Sequence, residues 1–165
     1  MSNQLIKAFE LIKPENLDET DKAELLRIFE VTESHSIRNK IALILSEVRY
    51  QPAIEIFIEK ILDPKLYNYN GTLVFALYSL ETTAYFLKIT EMLYTQGYEA
   101  RIEAFELFAR DTPCIDTLML DEAKVLLLKQ RKKLESINIS EKYENSTLHF
   151  VDAALKTIAK ATPYF

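Results

Sequence analysis

Glycine is nearly absent from this chain of 165 residues: Gly71 and Gly97 are the only two. Average usage of roughly 7% would give about a dozen. Tight hairpins, bulges and phosphate-cradling loops rely on glycine because it reaches positive φ at little cost. Its scarcity therefore argues for helices joined by ordinary turns, and against glycine-rich nucleotide-binding loops. Tryptophan is missing, and Cys114 is the single cysteine, which excludes an intrachain disulfide. No apolar run approaches the roughly 18–20 residues that span a bilayer. The opening Met1-Ser2-Asn3-Gln4-Leu5 lacks the basic stretch and apolar core of a signal peptide. A cytoplasmic location without membrane contact is the expectation.

Basic charge is scarce in the middle of the chain. Residues 67–119 carry 3 basic against 7 acidic side chains, whereas residues 1–66 carry 9 against 12 and residues 120–165 carry 8 against 6. Nucleic-acid binding needs basic surface to displace counterions, so an acidic centre disfavours it. The same charge favours a basic protein partner, because complementary fields speed encounter. With 48% hydrophobic and 27% charged residues, the chain has a globular composition.

Catalytic and metal-binding patterns are also wanting. His35 and His149 are the only histidines, and neither has a second ligand at helical i+3 or i+4 spacing. Neither a metal nor a cofactor is expected. Cys114 follows Pro113 at an expected helix start, where a thiol is activated, but packing is the preferred reading. Glu99, Glu103 and Glu106 align on one helix face, where paired carboxylates can serve acid–base chemistry. A solvated face with a Glu106–Arg110 pair at i,i+4 is the preferred reading there, and the chain is not expected to be an enzyme.

What is present is helical periodicity. Leu5, Phe9 and Ile12 give a first stripe, stopped at Lys13-Pro14. Asp18 reads as the N-cap of a second helix, with Leu25, Ile28 and Phe29 as its apolar side. Ile37, Ile41, Ile44, Leu45 and Val48 form a third stripe. After Pro52, read as a first-turn proline, Ile54, Phe57, Ile58 and Ile61 turn one way and Glu55 and Glu59 another. The stretch from Gly71 to about Leu80 is apolar nearly all round, as in a central helix. The helix of about Thr83–Thr95 buries Phe86, Ile89, Met92 and Leu93. In the helix of about Tyr98–Arg110, Ile102, Phe105, Phe108 and Ala109 are expected inside. Thr112-Pro113 reads as an N-cap and N1 pair for a helix of about Ile115–Ser136. Ser140 or Asn145 opens a last helix with the stripe Phe150, Ala154, Leu155 and Ile158.

The helices also repeat. Asn70-Gly71-Thr72-Leu73-Val74-Phe75-Ala76-Leu77 and Gly97-Tyr98-Glu99-Ala100-Arg101-Ile102-Glu103-Ala104-Phe105 open two of them, and Ser36-Ile37-Arg38-Asn39-Lys40-Ile41-Ala42-Leu43 is a weaker third copy. Ala42, Ala76 and Ala104 recur at the same place in these first helices, and Ala53 and Ala84 early in the second ones. Small residues at recurring positions let helices approach closely. Repetition at this period is the mark of stacked helical pairs. The expectation is an all-α, α-α superhelix of HEAT-like helical-pair repeats: a right-handed solenoid of about eight helices in one domain, residues 1–165. Glu55, Glu59 and Glu91 come from second helices, which commonly line a solenoid's concave binding face.

The two motifs from Asn70 to Leu77 and from Gly97 to Glu106, with Glu81 and an apolar helix between them, resemble the HEAT-like immunity proteins encoded beside bacterial polymorphic and contact-dependent toxins. Members of that family often carry a Cys-Ser pair where this chain has Thr82-Thr83. The resemblance implies a small bacterial protein that binds and neutralises a cognate toxin, with no catalytic residues of its own. The partner expected is a protein, with a basic toxin domain such as a nuclease as the leading case. An acidic face would dock it, with Glu55, Glu59, Glu91, Glu99, Glu103 and Glu106 supplying charge and Tyr94 and Tyr98 supplying buried contact area. The alternatives are a general HEAT-like scaffold bridging cellular proteins, and an enzyme using Glu99, Glu103 or Cys114 in a deep pocket.

Overall fold

The structure, a computed structural model, describes Phe9, residues 11–136 and residues 146–161. Leu5, Ser140 and Asn145, which figure in the expected first and last helices, lie outside the described residues. The fold is all-α. Among the described residues eight α-helices run in order: α1 (Glu19–Val31), α2 (His35–Glu47), α3 (Ala53–Leu62), α4 (Gly71–Ala76), α5 (Phe86–Thr95), α6 (Tyr98–Asp111), α7 (Thr117–Glu135) and α8 (Thr147–Ala161). Among the described residues there is no strand. No helix among them is long and apolar enough to cross a membrane.

Short polar side chains set the helix starts. Asp18 caps α1, accepting from the Asp21 amide at 2.9 Å, while Asp21 accepts from the Asp18 amide at 3.2 Å. This reciprocal box satisfies two amides that the helix leaves unpaired. Ser34 caps α2, and Ser146 accepts from the His149 amide at 3.2 Å at the start of α8. The cap of α7 is Asp116, which accepts from Met119 at 2.9 Å. Thr112-Pro113 does not cap it. The Thr112 hydroxyl donates back to the Phe108 carbonyl at 2.6 Å, and residues Thr112–Cys114 close a separate 3-10 turn. Pro52 likewise stands one residue outside α3, at its N-cap.

Helix α2 ends without the glycine that such an end favours. The Tyr50 amide donates to the Leu45 carbonyl at 2.9 Å and the Arg49 amide to the Ser46 carbonyl at 2.9 Å. This is a Schellman closure, and it drives Arg49 to φ 51, the left-handed region.

By contact density the chain packs as two compact units, residues 1–81 and residues 82–165. In the first, α1 packs on α2, α2 on α4, and α4 on α3. Phe29 and Phe57 meet at 4.7 Å between ring centroids, both without solvent exposure. Each such ring contributes roughly 1.5–3 kcal/mol of burial. Arg38, buried in the first turns of α2, donates from Nη2 to the Tyr69 carbonyl at 2.7 Å. Asn70 donates to the Ile61 carbonyl at 2.8 Å, which ties the loop before α4 to α3. In the second unit α5 is central and packs on α6, α7 and α8, while α8 also meets α6 and α7. Phe86 of α5 stacks on Phe108 of α6 at 4.7 Å.

Three repeat anchors, Ala42, Ala76 and Ala104, are fully buried, as is Ala53; Ala84 is exposed and supports no close approach. The pairing frame is offset by one helix from the motif reading. Within the units the closest sequential partners are α1 with α2, α3 with α4, α5 with α6, and α7 with α8. Helix α4 is also less enclosed than its composition implies. At 100° per residue Phe75 lies opposite Leu77, and it is 52% exposed, its ring 5.7 Å from Tyr78.

Candidate protein-binding face

Helix α6 buries Ala100, Arg101, Ala104, Leu107, Phe108 and Asp111. Of the four residues expected inside, only Phe108 is buried; Ile102 is exposed, and Phe105 and Ala109 are half-buried. The helix is rotated because two alanines one turn apart permit a closer approach to its neighbours than Ile102 would. That rotation takes Arg101 and Asp111 inward, and each finds partners there.

Arg101 donates from Nη1 to the Thr147 hydroxyl at 2.8 Å, and its guanidinium lies 5.5 Å from the centroid of the Phe150 ring. Both partners belong to α8. At the other end of α6, the Thr82 hydroxyl donates to Asp111 Oδ2 at 2.5 Å, and Arg110 donates to Asp111 Oδ1 at 2.7 Å and to Thr82 at 2.5 Å. Helix α6 is thus pinned near both ends, which fixes the orientation of its outer side.

That outer side carries Tyr98, Glu99, Ile102, Glu103 and Glu106. Glu99 and Glu106 are exposed and Glu103 is half-buried. Tyr98 is exposed at its rim and stands edge-on to Phe150, centroids 6.1 Å apart. The expected Glu106–Arg110 pair is replaced by the Arg110–Asp111 pair. Among the described residues none of the three glutamates has a cation within ion-pair distance. Like charges at i,i+3 and i,i+4 cost a helix a few tenths of a kcal/mol each. Glu99 alone recovers part of that from the helix dipole, being in the first turn.

The remaining expected residues sit elsewhere. Glu91 and Tyr94 lie on α5. Glu91 is 3.5 Å from Lys88, and burial, then the charge of Glu91, pushes the Tyr94 phenol above its ordinary range. Glu55 and Glu59 are exposed one turn apart on α3, in the first unit, again without an ion-pair partner among the described residues.

No family model, curated protein or solved structure matches the chain. The α6 face presents the carboxylates of Glu99, Glu103 and Glu106 around the exposed Ile102, with the Tyr98 ring at its rim. Among the described residues no group of three or more His, Cys, Asp or Glu side chains could hold a metal ion. Cys114 is exposed in the turn beyond α6.

The buried polar residues Arg38, Asn70, Thr82, Arg101 and Asp111 escaped the sequence reading. Arg101 carried a readable signal, since it is flanked by Ala100 and followed by Ala104, Leu107 and Phe108 at helical spacing. Thr82 and Asp111 carried none, because their bond joins residues 29 apart.

Proposed function

We propose that this chain is a non-enzymatic protein-binding module, an immunity protein that binds a cognate bacterial toxin and blocks it, its helix pairs forming a HEAT-like α-α superhelix. The observation that carries the reading is the outer side of α6, where Glu99, Glu103 and Glu106 surround Ile102 and, among the described residues, have no cation within ion-pair distance. A helix face that keeps three mutually repelling carboxylates fits a partner that brings the positive charge. A basic toxin domain has such a surface where it binds its own anionic substrate. Docking there excludes the substrate sterically and neutralises the site electrostatically, and the charge accelerates encounter. Ile102 supplies apolar contact at the centre and Tyr98 at the rim, and the pinned ends of α6 reduce the ordering cost of binding.

The test is co-expression of this chain with the C-terminal domain encoded by the adjacent gene, reading growth and complex formation. Restored growth with a co-purifying complex is the expected result. The triple substitution Glu99→Lys, Glu103→Lys and Glu106→Lys, which touches no buried partner, should lose both. A non-toxic neighbour and no complex would overturn the immunity reading in favour of a general scaffold.

A further inference from the structure

Helix α7 turns an apolar stripe to solvent. Over its 19 residues it buries only Leu120, Ala123 and Leu127, and it packs against α5 and α8. On the opposite side Leu118 is 72% exposed, Val125 65% and Leu128 47%. Leu118 and Val125 are seven residues apart and Leu128 follows three later, which is the spacing of a coiled-coil seam rather than of scattered surface residues. A groove of about 370 Å³ runs along this side, lined by Leu118, Asp121, Glu122, Val125 and Leu126.

Charge on the same side is divided along the axis. Asp121 and Glu122 lie in the N-terminal half, and Lys129, Lys132 and Lys133 in the C-terminal half. None of these five is in an ion pair among the described residues, whereas Arg131 is engaged with Glu135 at 2.8 Å and Asp152 at 2.7 Å. Such a pattern is complementary to itself when reversed. A second copy of α7, antiparallel about a two-fold axis at Val125, sets the two valines against each other. It brings Asp121 and Glu122 over Lys129 of the partner subunit, and lays Leu118 along the aliphatic stem of Lys132 of the partner subunit. Every contact occurs twice, as a two-fold interface requires. A parallel pair would instead oppose acid to acid and base to base.

We propose that the chain forms a symmetric dimer through this face of α7, with a second copy of itself as the occupant. An interface built on one helix belongs at the small end of the range for specific complexes, so half-dissociation on the order of 1–100 µM is expected.

Sedimentation velocity of the full chain from about 1 to 200 µM at low salt, a span that brackets that range, should show a reversible monomer–dimer equilibrium. Val125→Glu, which puts two like charges on the axis, should weaken it more than tenfold, and Lys129→Glu by about tenfold. Adding Asp121→Lys and Glu122→Lys to Lys129→Glu restores complementarity and should restore the dimer. All four side chains are exposed, and circular dichroism melts identify any variant that fails to fold. A monomer at every concentration would overturn the proposal. So would a dimer indifferent to Val125→Glu, or a charge swap that restores nothing. A monomeric chain that loses its toxin complex on Val125→Glu would overturn it too, assigning the face to that partner.

Discussion

Arg101 holds two neighbours on α8 at once, a hydroxyl by hydrogen bond and a phenyl ring by its cationic face. Arg101→Ala removes both contacts and leaves the Thr147 hydroxyl to find another partner, so it should cost about 1–3 kcal/mol in chemical denaturation. Arg101→Met keeps the stem packed and removes the buried charge, so it should cost less. Tyr94 gives a pH prediction. Burial, and after it the charge of Glu91, raises the phenol above its ordinary value near 10. The folded state thus favours the neutral form: the stability this contributes is complete below pH 10 and is lost as pH rises through the raised value. In an ultraviolet titration Tyr94 should ionise later than an ordinary tyrosine. Tyr94→Phe should remove that late step, and Glu91→Gln should move it part of the way down.

At the scale of the element, Arg49 occupies the position where a helix end favours glycine. A left-handed non-glycine residue costs roughly 1–2 kcal/mol, and the greater freedom of an unfolded glycine returns about 0.4–1 kcal/mol of that. Arg49→Gly should therefore raise stability by up to about 1 kcal/mol, read as a shifted denaturation midpoint with an unchanged slope. The starts and stripes of most helices were legible in the sequence because they depend on neighbours within one or two turns. Asp18 capped as read, and Ile54, Phe57, Ile58 and Ile61 faced inward as read. The rotation of α6 was not legible. Ile102 and Phe105 outrank Ala100 and Ala104 in hydrophobicity, yet closeness of approach to α5 and α8 decided which side went in. The pairing frame was hidden for a related reason. A repeated motif marks recurring helices without saying whether each pairs with the helix before it or the one after.

For the whole molecule, scarce glycine and 3.6-residue periodicity were enough to read an all-α chain. The division at residues 81 and 82 was not readable, since no run of Gly, Ser or Pro marks it; it arises from contact density alone. Charge gives the prediction at this scale. If the acidic α6 face steers a basic toxin, the association rate should fall about tenfold or more between roughly 50 and 500 mM salt, with a smaller change in the dissociation rate. Stopped-flow mixing measures both, and a salt-independent association rate would exclude steering. Cys114, exposed in the turn between α6 and α7, makes such an experiment simple. As the lone thiol of the chain, it accepts one maleimide dye per molecule with no engineering, and the dye sits in the turn between the two helices whose outer sides are proposed to meet different partners. One fluorophore can therefore report on both encounters in the native sequence.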